Sequence, residues 1–165
     1  MIFYKSDDEI QMMRKSGRIV ADVLSHIKKH IKAGMSTLEV ENIALDRLKT
    51  IAPDAIPSFK GYMGYPASIC ISINSEVVHG IPSKNKIILD GDIVSIDFGV
   101  ISNGYHGDSA FSILVGKGSE DTRRLLRVAE ESLYEGIKYA KVGGRLHDIS
   151  YAIQDHAESH GYSVV

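Results

Sequence analysis

Asp97 and Asp108 are the residues of this 165-residue chain whose type and placement suit them to chemistry. They lie in the stretch DIVSIDFGVISNGYHGDSAFS, from Asp92 to Ser112, with Asn103-Gly104 between them. Asn-Gly between two alternating runs is the strongest short-range hairpin signal. A two-residue loop pairs Ser102 with Tyr105. It sets Asp97 opposite Ala110 and Asp108 opposite Gly99, and the acids become diagonal neighbours with Cβ atoms roughly 7 Å apart. A three-residue loop would send them to opposite faces, because side chains alternate along a strand. Like charges this close destabilise a sheet unless something compensates. Two divalent cations roughly 3.5–4 Å apart would engage both carboxylates. Taken alone, the pair has a competing reading as a solvent-exposed hairpin face that carries acids.

The elements that must position this pair are legible around it. One face of the hairpin carries Ser95, Asp97, Gly99, His106, Asp108, Ala110 and Ser112; the other carries Val94, Ile96, Phe98, Val100, Phe111 and Ile113. The apolar face is the packed one. Ser6 to Glu9 is a capping box that opens a helix with a stripe at Ile10, Met13, Gly17, Val20, Leu24, Ile27 and Ile31. Ser36 to Glu39 opens a second, with Val40, Ile43, Ala44, Leu48 and Ile51 on one side, ended by Pro53 and Pro57. Phe59 to Pro66 is a loop rich in glycine and tyrosine. Ile69 to Ile73 reads as a strand, Asn74-Ser75 as its turn, and Glu76 to His79 as the returning strand. Ser119 is an N-cap for a third helix with a stripe at Leu126, Ala129, Leu133, Ile137 and Ala140. Leu146, Ile149, Ile153 and Ala157 mark a fourth, ended by Gly161. Tyr162 to Val165 looks like the opening of a further strand, so the sequence reads as the N-terminal portion of a longer fold. The order is an α+β layout, read as one catalytic-type domain over 1–165.

Bulk properties narrow the function classes. Hydrophobic residues make up 44% and the net charge is −2, which suits a globular protein and gives no broad electrostatic footprint for nucleic acid. The one cysteine, Cys70, rules out an intrachain disulfide framework. No apolar run reaches membrane-spanning length, and an N-terminus of Ile2 and Phe3 with acids soon after is unlike a signal peptide. A cytoplasmic, reducing compartment is the expectation.

Further residues join the acids through a resemblance. Cys70-Ile-Ser-Ile-Asn74, then Val77-Val-His-Gly-Ile-Pro82, then Asp97, then Gly107-Asp108 closely resemble the type I methionine aminopeptidases, and the likeness runs from Met13–Leu24 to the final GYSVV. The resemblance implies the pita-bread fold, an antiparallel sheet flanked by helix pairs. It implies that Asp97 and Asp108 are metal ligands for two divalent ions, with Asp108 bridging. His79 would contact the substrate and stabilise the transition state at the scissile bond. Phe59, Tyr62, Tyr65 and Cys70 would line a methionine pocket, since a thioether fits among aromatic rings and a soft thiol. Met63 stands where several relatives carry a histidine beside the site. The ions would be cobalt, manganese, iron or zinc, among which oxygen ligands do not choose. The remaining family ligands, a histidine and two glutamates, with a further substrate-contacting histidine, would lie beyond Val165, so this chain alone would bind metal weakly and turn over little.

The implied activity is removal of N-terminal methionine from peptides and nascent proteins, at or near the ribosome, with no nucleic-acid or membrane partner. An uncovered sheet surface would favour self-association. Two rivals are a pita-bread peptidase of the X-Pro type and a non-catalytic peptide-binding module. Other histidines are set aside. His26 and His30 flank the first stripe among lysines and read as a solvated face. His106 shares a face with Asp108 and reads as a neighbour that shapes the site. His156 and His160 share i, i+4 spacing, but a zinc-protease helix needs glutamate directly after the first histidine, and Ala157 stands there.

Overall fold

The computed structural model describes residues 2–165, which divide into two compact units with the boundary between Lys117 and Gly118. In the first, α1 (Asp7–His30) and α2 (Thr37–Ile51) precede a sheet of four antiparallel strands, β1 (Ile56–Pro57), β2 (Cys70–Ile73), β3 (Ile93–Ser102) and β4 (Tyr105–Leu114). Both capping boxes form. The Ser6 amide donates to Glu9 Oε2 at 2.8 Å and the Ser36 amide to Glu39 Oε2 at 2.7 Å, while each serine hydroxyl accepts from its glutamate's amide. Each box satisfies amides that a helix start otherwise leaves bare.

β3 is the axis of the sheet. β4 pairs with it along its whole length, while β2 pairs with Val94–Asp97 and β1 with Val100 and Ile101. Val94, Ile96, Phe98 and Val100 are wholly buried and form one core with Val20, Val23 and Ile27 of α1 and Val40, Ala44 and Leu48 of α2. That core covers a single face of the sheet. The face is closed tightly where α1 crosses β4. Ser16 Oγ donates to the Tyr105 carbonyl at 2.8 Å, and a Cβ on Gly107 would lie 2.5 Å from the Ser16 carbonyl carbon. Glycine at 107 is therefore a steric requirement, and the next residue, Asp108, faces the other way.

In the second unit α3 (Glu120–Ile137) and α4 (Leu146–Ser159) pack on each other. Ser119 caps α3, its hydroxyl accepting from the Thr122 amide.

Three expectations need correction. Glu76 to His79 is not a strand; the chain there is irregular, and it comes back to β2 at Gly80, whose carbonyl accepts from the Ile71 amide at 2.8 Å. The buried residues of α3 are Val128, Ser132 and Gly136, whereas Leu133 and Ile137 are 54% and 53% exposed. The reason is close approach: at Gly136 a Cβ would lie 2.7 Å from Ile153 Cγ1, so small residues face α4 and the larger stripe faces outward. Tyr162 to Val165 has no strand pairing. The short β1 was also not anticipated, since the prolines on either side of Ile56 read only as helix terminators.

Gly107→Ala should cost about 1–3 kcal/mol, the usual range for overpacking, seen as a lower urea midpoint. An unchanged midpoint would show that α1 can ride up off β4.

Candidate metal centre

The two-residue turn at Asn103-Gly104 fixes the register as the sequence requires: Ser102 opposes Tyr105, Asp97 opposes Ala110, and Asp108 opposes Gly99. Asn103 and Gly104 both have positive φ, 51° and 80°, the conformation a tight hairpin turn demands. Asp97 and Asp108 therefore share the face turned away from the core, and their carboxyl groups meet closely enough to share a hydrogen bond. Asp97 is half-buried and Asp108 exposed. Burial, then the Asp108 charge and the hydrogen bond between them, push the Asp97 carboxyl up to about 6, and the His79 imidazole partly opposes this.

β2 extends the same face, because Cys70 opposes Asp97 and Ser72 opposes Ser95. Cys70 is buried, and burial raises its thiol pKa; the bond with Tyr65 opposes that shift, and the Asp97 and Asp108 charges add to it. Tyr65 Oη lies 3.1 Å from the Ile69 and Gly80 carbonyl oxygens, and burial, then the bond with Cys70, hold its phenol neutral well above the usual range. Phe59 reaches the sheet over Gly99, where a Cβ would stand 3.0 Å from its ring. His106 Nδ1 lies 3.1 Å from Ser58 Oγ, so it steadies the segment that carries Phe59. Tyr62 sits on the short 310 turn Tyr62–Gly64 and is 67% exposed, with Met63 beside it more exposed still. The structure thus gathers Asp97, Asp108, His79, Cys70, Tyr65 and Phe59, while no hydrogen bond among the described residues draws Tyr62 toward the acids.

Gly80 is what brings His79 to the acids. Its amide donates to Ser72 Oγ at 3.1 Å, and a Cβ there would overlap the Ile71 carbonyl oxygen. His79 itself has φ of 60°, a left-handed conformation uncommon for a side-chain-bearing residue. Glu41 gives a second, unanticipated support: from α2 it accepts the Ser68 amide at 2.6 Å and so fixes the approach to β2. Its only sequence signal is an acid directly beside Val40 on the apolar stripe of α2.

The donor set fits divalent cations. Two carboxylates held together on one face, one of them half-buried, repel each other, and a bound cation would relieve that repulsion. Residues 11–165 match metallopeptidase family M24.

The chain belongs to that family. It is 52% identical to methionine aminopeptidase 1 of Bacillus subtilis over 165 residues, all of this chain and 65% of that protein. The crystal structure of a methionine aminopeptidase from Thermotoga maritima superposes with a TM-score of 0.96 at 42% identity, covering 100% of this chain and 66% of that one. An Xaa-Pro dipeptidase from Bacillus anthracis is more distant, with a TM-score of 0.81 at 25% identity over 96% of this chain and 42% of its own. The chain thus spans about 65% of the length of the curated relatives it matches. The pita-bread fold implied by the resemblance holds, and M24 proteins are metal-dependent peptidases.

Because the fold lifts Asp97 above the ordinary carboxylate range, its contribution to stability is full below about pH 4 and is lost as pH rises through about 6. Asp22, Glu39 and Glu76 are held low by Arg47, Ser36 and Lys86 and act in the opposite sense. The difference between the metal-free protein and Asp97→Asn isolates the Asp97 share. The substitution should stabilise more at pH 7 than at pH 4 in urea titrations; an equal gain at both would show that the acids do not strain each other.

Proposed function

We propose that this chain carries part of the dinuclear centre of a methionyl aminopeptidase, with Asp97 and Asp108 as ligands and Asp108 shared between two ions. The observation that supports this is the pair of acids brought to the open face of the hairpin by its register, with burial and the Asp108 charge raising the Asp97 carboxyl pKa and the His79 charge opposing the rise. Divalent ions bound there would supply a nucleophile from water at neutral pH and polarise the scissile carbonyl. The chain's own residues do the rest. Asp97 and Asp108 would hold the cations through their carboxylate oxygens. His79 donates a hydrogen bond to the charge that develops on the peptide oxygen. Phe59, Tyr62, Tyr65 and Cys70 form the pocket for the first side chain of the substrate, where a thioether rests against rings and a thiol. Tyr65, neutral and bonded to the Gly80 carbonyl, ties that pocket to the His79 loop.

The substrates are peptides and newly made proteins that begin with methionine. A cytoplasmic setting fits Cys70, which is a buried free thiol. No helix among the described residues is long and apolar enough to cross a membrane. The exposed Leu133 and Ile137 on α3 support self-association, which light scattering would register as a mass above one chain.

Two carboxylates offer four oxygens, fewer than two ions of four or more ligands each require without water. Manganese should therefore bind the chain weakly in calorimetric titration, and Asp108→Asn should abolish the signal; binding retained by that variant would remove Asp108 from the centre. With manganese, Met-Ala-Ser should be cleaved far more slowly by this chain than by the Bacillus subtilis enzyme, and an Xaa-Pro dipeptide not at all. Equal rates on the tripeptide would overturn the ligand count, and preference for the dipeptide would overturn the substrate.

A further inference from the structure

A second group of metal-binding side chains lies wholly within the second unit. One Glu131 oxygen and one ring nitrogen each from His156 and His160 lie within 4.8 Å of one another. Glu131 comes from α3. His156 lies in the last turn of α4 and His160 is its C-cap residue. The close approach at Gly136 sets the separation of the two helices. His156 Nε2 stands 3.4 Å from Glu131 Oε2. With zinc bonds of about 2.0–2.1 Å in a tetrahedron, neighbouring ligand atoms stand about 3.3 Å apart. The Glu131–His156 edge already has that length.

The proton on His160 is placed for ligation. Its Nδ1 lies 2.7 Å from the His156 carbonyl oxygen, which can only accept, so Nδ1 carries the hydrogen and Nε2 keeps its lone pair. Ser159 Oγ, 3.2 Å from the same nitrogen, can accept as well. The other Glu131 oxygen faces Arg127 at 3.9 Å, an exposed and therefore weak pair. Glu135, the next carboxylate toward His156, is engaged by Lys138 at 2.6 Å.

α1 provides a contrast. His26 and His30 stack with ring centroids 4.1 Å apart, and His30 Nδ1 meets the His26 carbonyl at 2.8 Å. Asp22, the acid that acts on His26, is bound by Arg47 at 2.6 Å. Stacked histidines at this spacing are thus a helix habit, and the available carboxylate is what distinguishes the α3–α4 group.

We propose that Glu131, His156 and His160 form a site for a borderline divalent cation such as zinc or nickel, independent of Asp97 and Asp108. Two imidazoles and one carboxylate favour such ions over magnesium or calcium, and water would fill the fourth position. The ion would tie the C-terminal end of α4 to the middle of α3.

Calorimetric titration of the 165-residue chain carrying Asp97→Asn and Asp108→Asn tests this. One equivalent of zinc should bind, magnesium should not, and His160→Gln should weaken zinc at least tenfold while His26→Gln leaves it unchanged. No stoichiometric zinc, or equal affinity in His160→Gln, would overturn the site. Should the doubly substituted chain fail to fold, the unsubstituted protein serves. Zinc should then shift the ring nitrogen resonances of His156 and His160 and not those of His26 and His30, whatever it does at His79; unshifted His156 and His160, or equal shifts at His26 and His30, would defeat the proposal. Manganese binding at the sheet acids is read separately, so failure here leaves that centre standing.

Discussion

Two like charges share one face of a hairpin, and the rest of the first unit is arranged around that conflict. A carboxylate pair in a half-buried place is a liability in a metal-free sheet, where burial and mutual repulsion favour a bound proton. The turn at Asn103-Gly104 imposes the arrangement by backbone geometry alone, through two consecutive residues of positive φ.

Glycines then make the site compact. Gly107 lets α1 press against β4 on the packed face, Gly99 admits Phe59 on the open face, and Gly80 lets the loop that carries His79 lie against β2. In each case a methyl group would meet backbone or ring atoms. The hydroxyls of Ser16 and Ser72 anchor two of these approaches, and Glu41 secures the start of β2. Among the described residues every buried side-chain polar atom is partnered, as burial requires.

What could be read from the sequence was local. The capping boxes at Ser6 and Ser36 and the register of β3 with β4 follow from residues a few positions apart, and they appear as read. The placement of His79 was not local. It depends on how Gly80 meets Ile71, and the resemblance, not the spacing, pointed there. Hydropathy misled on α3 because Val128, Ser132 and Gly136 bury a small-residue seam while Leu133 and Ile137 stay exposed. β1 was invisible because Ile56 and Pro57 gain strand character only by pairing with Ile101 and Val100. Glu76 to His79 looked like a returning strand because apolar Val77 and Val78 follow a good turn, yet both are exposed.

The contact between Ser16 and the Tyr105 carbonyl spans 89 positions of chain. The hairpin that unites the acids closes across two residues, an event of about 1–10 μs, whereas docking α1 must first overcome the entropy of a long loop. The consequence is an order of assembly. The acids are brought together by a short-range closure, whereas the helix that covers the opposite face is held across most of the length of the first unit.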